Sequence, residues 1–228
     1  RTYSMNKLTI IVTYYNAEEY ITGCLESIKQ QRTQDFNLII VNDGSTDQSK
    51  KLMDEAIKDY DKNIRFIDLD ENSGHAHARN IALEEVETPY FMFLDADDEL
   101  ASYAITFYLE KFNNTDGLIA PIHSFTTQRP QFVDLDRVRV EYFNAKENIN
   151  SFLRKQSACN IIFRTAIVRA HHIRFNENLN TYVDWSFVLE YMKYVNKFVR
   201  IFNFPFYFRG EVYDPFETLT LSEQRSEE

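Results

Sequence analysis

Leu8–Thr9–Ile10–Ile11–Val12 is a continuous apolar, β-branched run of strand length, and it passes directly into the polar Thr13–Tyr14–Tyr15–Asn16. A strand that does not alternate suits a sheet covered on both faces, the parallel sheet of α/β proteins. Phe36–Val41 repeats the run and is followed by Asn42, Asp43, Gly44, Ser45, Thr46 and Asp47. Tyr90–Leu94 repeats it again before Asp95, Ala96, Asp97 and Asp98, and Ile64–Leu69 is a fourth run. Between the runs, apolar residues fall at helical spacing: Tyr20, Ile21, Cys24, Leu25 and Ile28; Leu52, Met53, Ala56, Ile57 and Tyr60; Ala78, Ile81, Ala82 and Val86. Asn16 with Glu19 has the form of a capping box, and Ser45 is the expected N-cap of the second helix. This alternation predicts a parallel α/β unit up to about Asp98, with ligands bound at the carboxyl ends of its strands.

Beyond Asp98 the pattern is less regular. It predicts helices over Glu99–Phe112, near Lys146–Arg154 and over Val183–Val195. Strands are expected near Leu118–Ile122, Asn160–Arg164 and Phe198–Phe202, with a polar loop through Gln128–Arg139. The expectation is one domain over residues 5–221, with a nucleotide-binding half over about 7–98 and an acceptor-side half over about 99–208. Arg1–Ser4 precede Met5, which reads as a natural start, so these four residues are expected to be a non-native remnant. Ser222–Glu228 reads as a frayed tail or the beginning of a linker to a further domain.

With 25 basic and 35 acidic residues, the 228-residue chain carries a formal charge of -10, which argues against nucleic acid as the main partner. Arg129, Arg137, Arg139, Arg154, Lys155, Arg164 and Arg169 nevertheless fall mid-chain, where they could form a local basic patch or simply a solvated surface. Cys24 and Cys159 sit in apolar contexts and read as core thiols in a reducing compartment. No run approaches 18 apolar residues and no signal-type leader precedes the first strand, so a soluble protein is expected. The five glycines are dispersed, so neither a dinucleotide fingerprint nor a phosphate-cradling loop is present. Phosphates would have to be handled by side chains and a metal.

Asp95, Asp97 and Asp98 supply the means. Three carboxylates within four residues repel one another unless a cation or a cap uses them. Capping of the next helix by Asp98 accounts for one of the three. Magnesium or manganese prefers one or two carboxylates plus substrate phosphates, so Asp97 is the candidate ligand of a Mn2+ or Mg2+ ion bridging a diphosphate.

Together these residues resemble family 2 glycosyltransferases of the type A fold: Ile10–Asn16, Val41–Asp47, Asn72–Gly74, Ala78–Asn80 and Phe93–Asp98 appear in the family's order and spacing. The resemblance runs from Lys7 to about Phe208. It implies a Rossmann-like, mostly parallel sheet flanked by helices, with a mixed second half. It further implies that Thr13, Tyr14, Tyr15 and Asp43 hold a nucleotide base, uracil by preference, with Asn72 and Arg79 lining the same pocket. Asp95 would contact the ribose, Asp97 the metal, and Arg209, in the Tyr207–Gly210 segment, the diphosphate. Inverting members carry a Glu-Asp pair opening a late helix. Here the pair reads Val183–Asp184, leaving Asp184 as candidate general base. A histidine that some members use as a further ligand has no counterpart after His172, and water would fill that position.

The closest flavour is that of bacterial enzymes glycosylating teichoic acid or cell-envelope polysaccharides, some fused to a further catalytic domain. The implied partners are a nucleotide diphosphate sugar and a polymer or lipid-linked glycan acceptor. The implied location is the cytoplasm, including the inner face of the cell membrane. The alternative, suggested by Val183, is a degenerate transferase domain that binds a glycan or scaffolds a partner. A nucleotidyltransferase would bring a glycine-rich, basic opening loop, which Thr13–Asn16 lacks.

Overall fold

The computed structural model describes residues 6–60, 63–112, 114–124, 134–144, 146, 157–203 and 206–210. Strands β1 (Leu8–Tyr14), β2 (Phe36–Asn42), β3 (Ile64–Asp68) and β4 (Tyr90–Asp95) alternate with helices α1 (Ile21–Lys29), α2 (Ser49–Ile57) and α3 (His75–Glu84). Every residue of β1 is buried, as its unalternating composition requires. The strands lie in the order β3-β2-β1-β4, all parallel, so the chain reverses its direction of travel across the sheet between β1 and β4. Register then does the placing: Tyr14 lies level with Asn42, and Thr13 with Asp95. Three polar clusters distant in sequence therefore emerge at one rim.

The second half extends the same sheet with mixed directions. Strand β5 (Glu99–Leu100) and helix α4 (Ala104–Lys111) follow β4, then β6 (Gly117–Ile119), β7 (Ile122–Ser124), β8 (Val140–Asn144) and β9 (Ile161–Arg164). Helices α5 (Thr165–Ala170) and α6 (Val183–Met192) precede β10 (Lys197–Ile201) and β11 (Tyr207–Arg209). β9 runs antiparallel to β4 and carries β6, β10 and β8 beyond it, while β5, β11 and β7 form a small second sheet. An aromatic cluster joins the halves: Phe175 stacks on Phe187 at 4.1 Å, and Phe93 meets both edge-on. No helix among the described residues is long and apolar enough to cross a membrane.

Several expectations need correction. The capping box at Asn16 does not form: α1 begins at Ile21, and Asn16, with φ of 48°, instead accepts hydrogen bonds from the backbone of Thr46 and Asp47. Ser45 does not cap α2, which starts at Ser49; the Asp47 carboxylate accepts from the Ser49 backbone while Ser45 Oγ accepts from Asn16. Both polar side chains tie loop to loop, which a local propensity cannot foresee. Glu99 and Leu100 pair with β11 as a strand, so the helix starts later, at Ala104. The strand β8, which pairs with β10, was not anticipated within or after the polar loop. The expected helix near Lys146–Arg154 and both chain ends lie outside the described residues.

Among the described residues, Arg137 and Arg139 meet at Asn203, and Arg139 and Arg200 share the Phe202 ring, but the mid-chain cations are paired. Arg137 pairs with Asp134, Arg139 with Glu141 and Arg164 with Asp116, and Arg169 donates to the Val86 carbonyl, so each is already engaged. Arg129, Arg154 and Lys155 lie outside the described residues.

Candidate active site

The β1, β2 and β4 ends enclose an open cavity of about 470 Å3. Of the residues expected there, Thr13, Tyr14, Tyr15, Asp43, Asn72, Asp95 and Asp97 line it. Gly44 makes the β2 loop possible: its φ is +67°, and a Cβ would fall 2.4 Å from the Glu71 carbonyl carbon. The turn so formed lets Asp43 accept from the backbone N–H groups of Ser73 and Gly74, at 2.8 and 3.0 Å, holding the Asn72 loop against the cavity. His75, which sequence reasoning missed, also lines the cavity, where partial burial and the Arg79 guanidinium push its imidazole below the ordinary value.

Beneath the cavity lies a network of four side chains. Arg79 is 1% exposed; one terminal nitrogen donates to Asp184 Oδ1 at 2.5 Å and the other to Asp95 Oδ1 at 2.7 Å. Its guanidinium lies over the rings of Phe93 and Phe175, 4.8 and 5.2 Å from their centroids. A buried guanidinium is tolerated only when paired, and the two carboxylates supply the pairing. Burial alone would push Asp95 upward, but Arg79 and His75, with a hydrogen bond from Cys159, hold it at about 2. Cys159 donates to Asp95 Oδ2 at 3.0 Å and lies 3.2 Å from the Arg79 nitrogen, so it belongs to this network as well as to the core. Arg79 is thus seated below the cavity and outside its lining.

The acidic cluster divides by partner. Oxygens of Asp95, Asp97 and Asp98 lie within 4.8 Å of one another. Asp98, 1% exposed, does not cap α4; its oxygens accept from the Tyr207 hydroxyl and from the Gly210 backbone at 2.8 Å. Burial and the Asp95 charge push it up to about 7. Asp97 is only half-buried and hydrogen-bonds to no other described residue, and burial and Asp95 raise it too. With the other two carboxylates already engaged, Asp97 is the one suited to a hard cation that brings its own phosphate and water oxygens. Arg209 stands at the exposed end of β11, outside the cavity lining, where Asp98 and Asp95 favour its charged form against the cost of partial burial.

Asp184 sits in the first turn of α6. Besides Arg79, it accepts from Ser157 Oγ at 3.2 Å and from the Ala158 backbone at 2.9 Å, both on Oδ2. An ionised carboxylate has about four acceptor positions, so roughly one remains, on Oδ1.

The chain has known relatives in sequence and in fold. The profile of the family described as glycosyl transferase family 2 matches residues 9–174. The chain belongs to glycosyl transferase family 2. An uncharacterized glycosyltransferase of Haemophilus influenzae is 29% identical over 196 residues, 85% of this chain and 75% of that protein. The poly(ribitol-phosphate) beta-N-acetylglucosaminyltransferase TarS of Staphylococcus aureus is 28% identical over 201 residues, 82% of this chain but only 32% of TarS. A crystal structure of TarS superposes with a TM-score of 0.75 at 25% identity, over 90% of this chain and 36% of that one. The mixed sheet of this glycosyltransferase is therefore the type A fold.

Proposed function

We propose that this family 2 domain moves a sugar, with inversion, from a uridine diphosphate donor to a hydroxyl of a cell-envelope glycan, with Asp184 as general base. The observation that carries the reading is the shared guanidinium: Arg79 ties Asp95, at the cavity, to Asp184, on a helix of the other half. The donor would lie in the cavity with its base against Thr13–Tyr15 and Asp43 and its ribose at Asp95. TarS, crystallised with UDP-GlcNAc, supports a uridine donor. Mn2+ or Mg2+, held by Asp97, would neutralise the diphosphate as it departs.

The free position on Asp184 Oδ1 would accept the proton of the acceptor hydroxyl. As that proton transfers, the hydroxyl oxygen attacks the anomeric carbon from the side opposite the diphosphate, and inversion follows. Arg79, Ser157 and the Ala158 backbone keep the carboxylate oriented for this step. Calorimetry with UDP, with and without Mn2+, tests the donor half: Asp97→Asn should abolish the metal-linked heat. A product assay with nucleotide sugars tests the other half, and unchanged turnover in Asp184→Asn would remove it from the mechanism.

A further inference from the structure

The chain around Asp184 has features that proton transfer alone does not call for. Tyr182, two residues before it, is 64% exposed and adopts a left-handed backbone, φ 58° and ψ 23°. A bulky residue holds that conformation against a steric penalty, and such outliers gather where a side chain must be aimed. Trp185 follows Asp184, its ring centroid 6.1 Å from that of Tyr182 with 57° between their planes, so two aromatic surfaces meet at an angle on residues that flank Asp184 in sequence. The indole N–H is enclosed and has no partner among the described residues, so a shift of the ring toward an incoming hydroxyl breaks no hydrogen bond.

The charge here is as informative as the rings. Residues 176–182 are all exposed, and Phe175–Ser186 contain no lysine or arginine. Of the two acids in that stretch, Glu177 is engaged by His77 and Asn80, and the other is Asp184. The side chains of Asn178, Asn180 and Thr181 hydrogen-bond to nothing among the described residues. Aromatic faces pack the C–H face of a sugar ring, and neutral amides and hydroxyls match its hydroxyl groups. Within residues 175–186 an anionic polyol phosphate would find no cation, and the described guanidinium at Asp184, that of Arg79, is already shared between two carboxylates.

We infer that Asn178–Trp185 form an acceptor subsite for an uncharged pyranose ring, packed on Tyr182 and Trp185 with one hydroxyl at Asp184. The inference rests on the reading of Asp184 as the base, and it narrows the acceptor to a glycan terminus.

Trp185 is the only tryptophan of the chain, so its fluorescence reports on this place alone. With UDP and Mn2+ saturating, titration of methyl β-glucopyranoside and methyl N-acetyl-β-glucosaminide should give a saturable change. Tyr182→Gly removes the ring and relieves the left-handed backbone, so the fold is retained; it should weaken that binding about tenfold, whereas Tyr182→Phe should preserve it. Unchanged affinity in Tyr182→Gly would overturn the inference. So would a saturable response to ribitol 5-phosphate with none to either glycoside. Asp184→Asn, run in parallel, separates the two ideas: retained turnover defeats the base while the fluorescence titration still judges the subsite.

Discussion

The donor rim and the acceptor side of this site are built by different means. At the rim, Thr13, Asn42, Asp43 and Asp95 are placed by the register of parallel strands, so backbone hydrogen bonds fix where each side chain emerges. On the acceptor side, Asp184 stands at the start of a ten-residue helix and is held mainly by Arg79, Ser157 and the Ala158 backbone. A site fixed by register survives the loss of one side chain. A site held by side-chain donors gathered on one carboxylate does not.

The largest effect that would sharpen this contrast is in rate. Asp184→Asn should lower turnover by about 10²- to 10⁴-fold, the usual worth of a positioned general base. UDP binding, measured by calorimetry, should change little, because the rim does not depend on Asp184 for its placement. Arg79→Met should be the most damaging to stability: it strands two carboxylates against apolar rings, at a cost of about 3–5 kcal/mol by urea titration. A loss below about 1 kcal/mol would break the claim that one cation holds the two halves of the site.

Gly44→Ala tests the rim. The left-handed φ and the approach to the Glu71 backbone predict a loss of more than about 1 kcal/mol, with donor binding weakened because the Asp43 turn shifts. The smallest effect concerns pH. Asp98 is held near 7 in the fold, against an ordinary value of 3.8. The folded state therefore holds that proton more tightly than the unfolded chain does. Its contribution is complete below the unfolded value and is lost as pH rises through about 7. Between pH 5 and 8 the thermal midpoint of the metal-free protein should fall by a few degrees, and Asp98→Asn should flatten that slope.

The rim was legible because its signals are local: each apolar run names its strand, and the next residues name the rim. The network beneath was not. The resemblance places Arg79 in the pocket lining, and its apolar context makes Cys159 read as a core thiol; nothing in their neighbours reports that both meet Asp95, 16 and 64 residues away. Asn16 and Ser45 mislead for a related reason, since a side chain able to cap its own helix can equally bind a loop 30 residues distant.

Sequence alone determined the parallel half, the family, and the identity of the acids at the strand ends, because strand periodicity and the residues past each strand are properties of contiguous chain. Tertiary structure alone decided which acid is free and which is engaged. Asp95, Asp97 and Asp98 are chemically alike and nearly adjacent, yet Arg79, Tyr207 and Gly210 arrive from elsewhere and leave only Asp97 without a hydrogen-bond partner among the described residues. A carboxylate's role follows from its partners, and partners are set by packing.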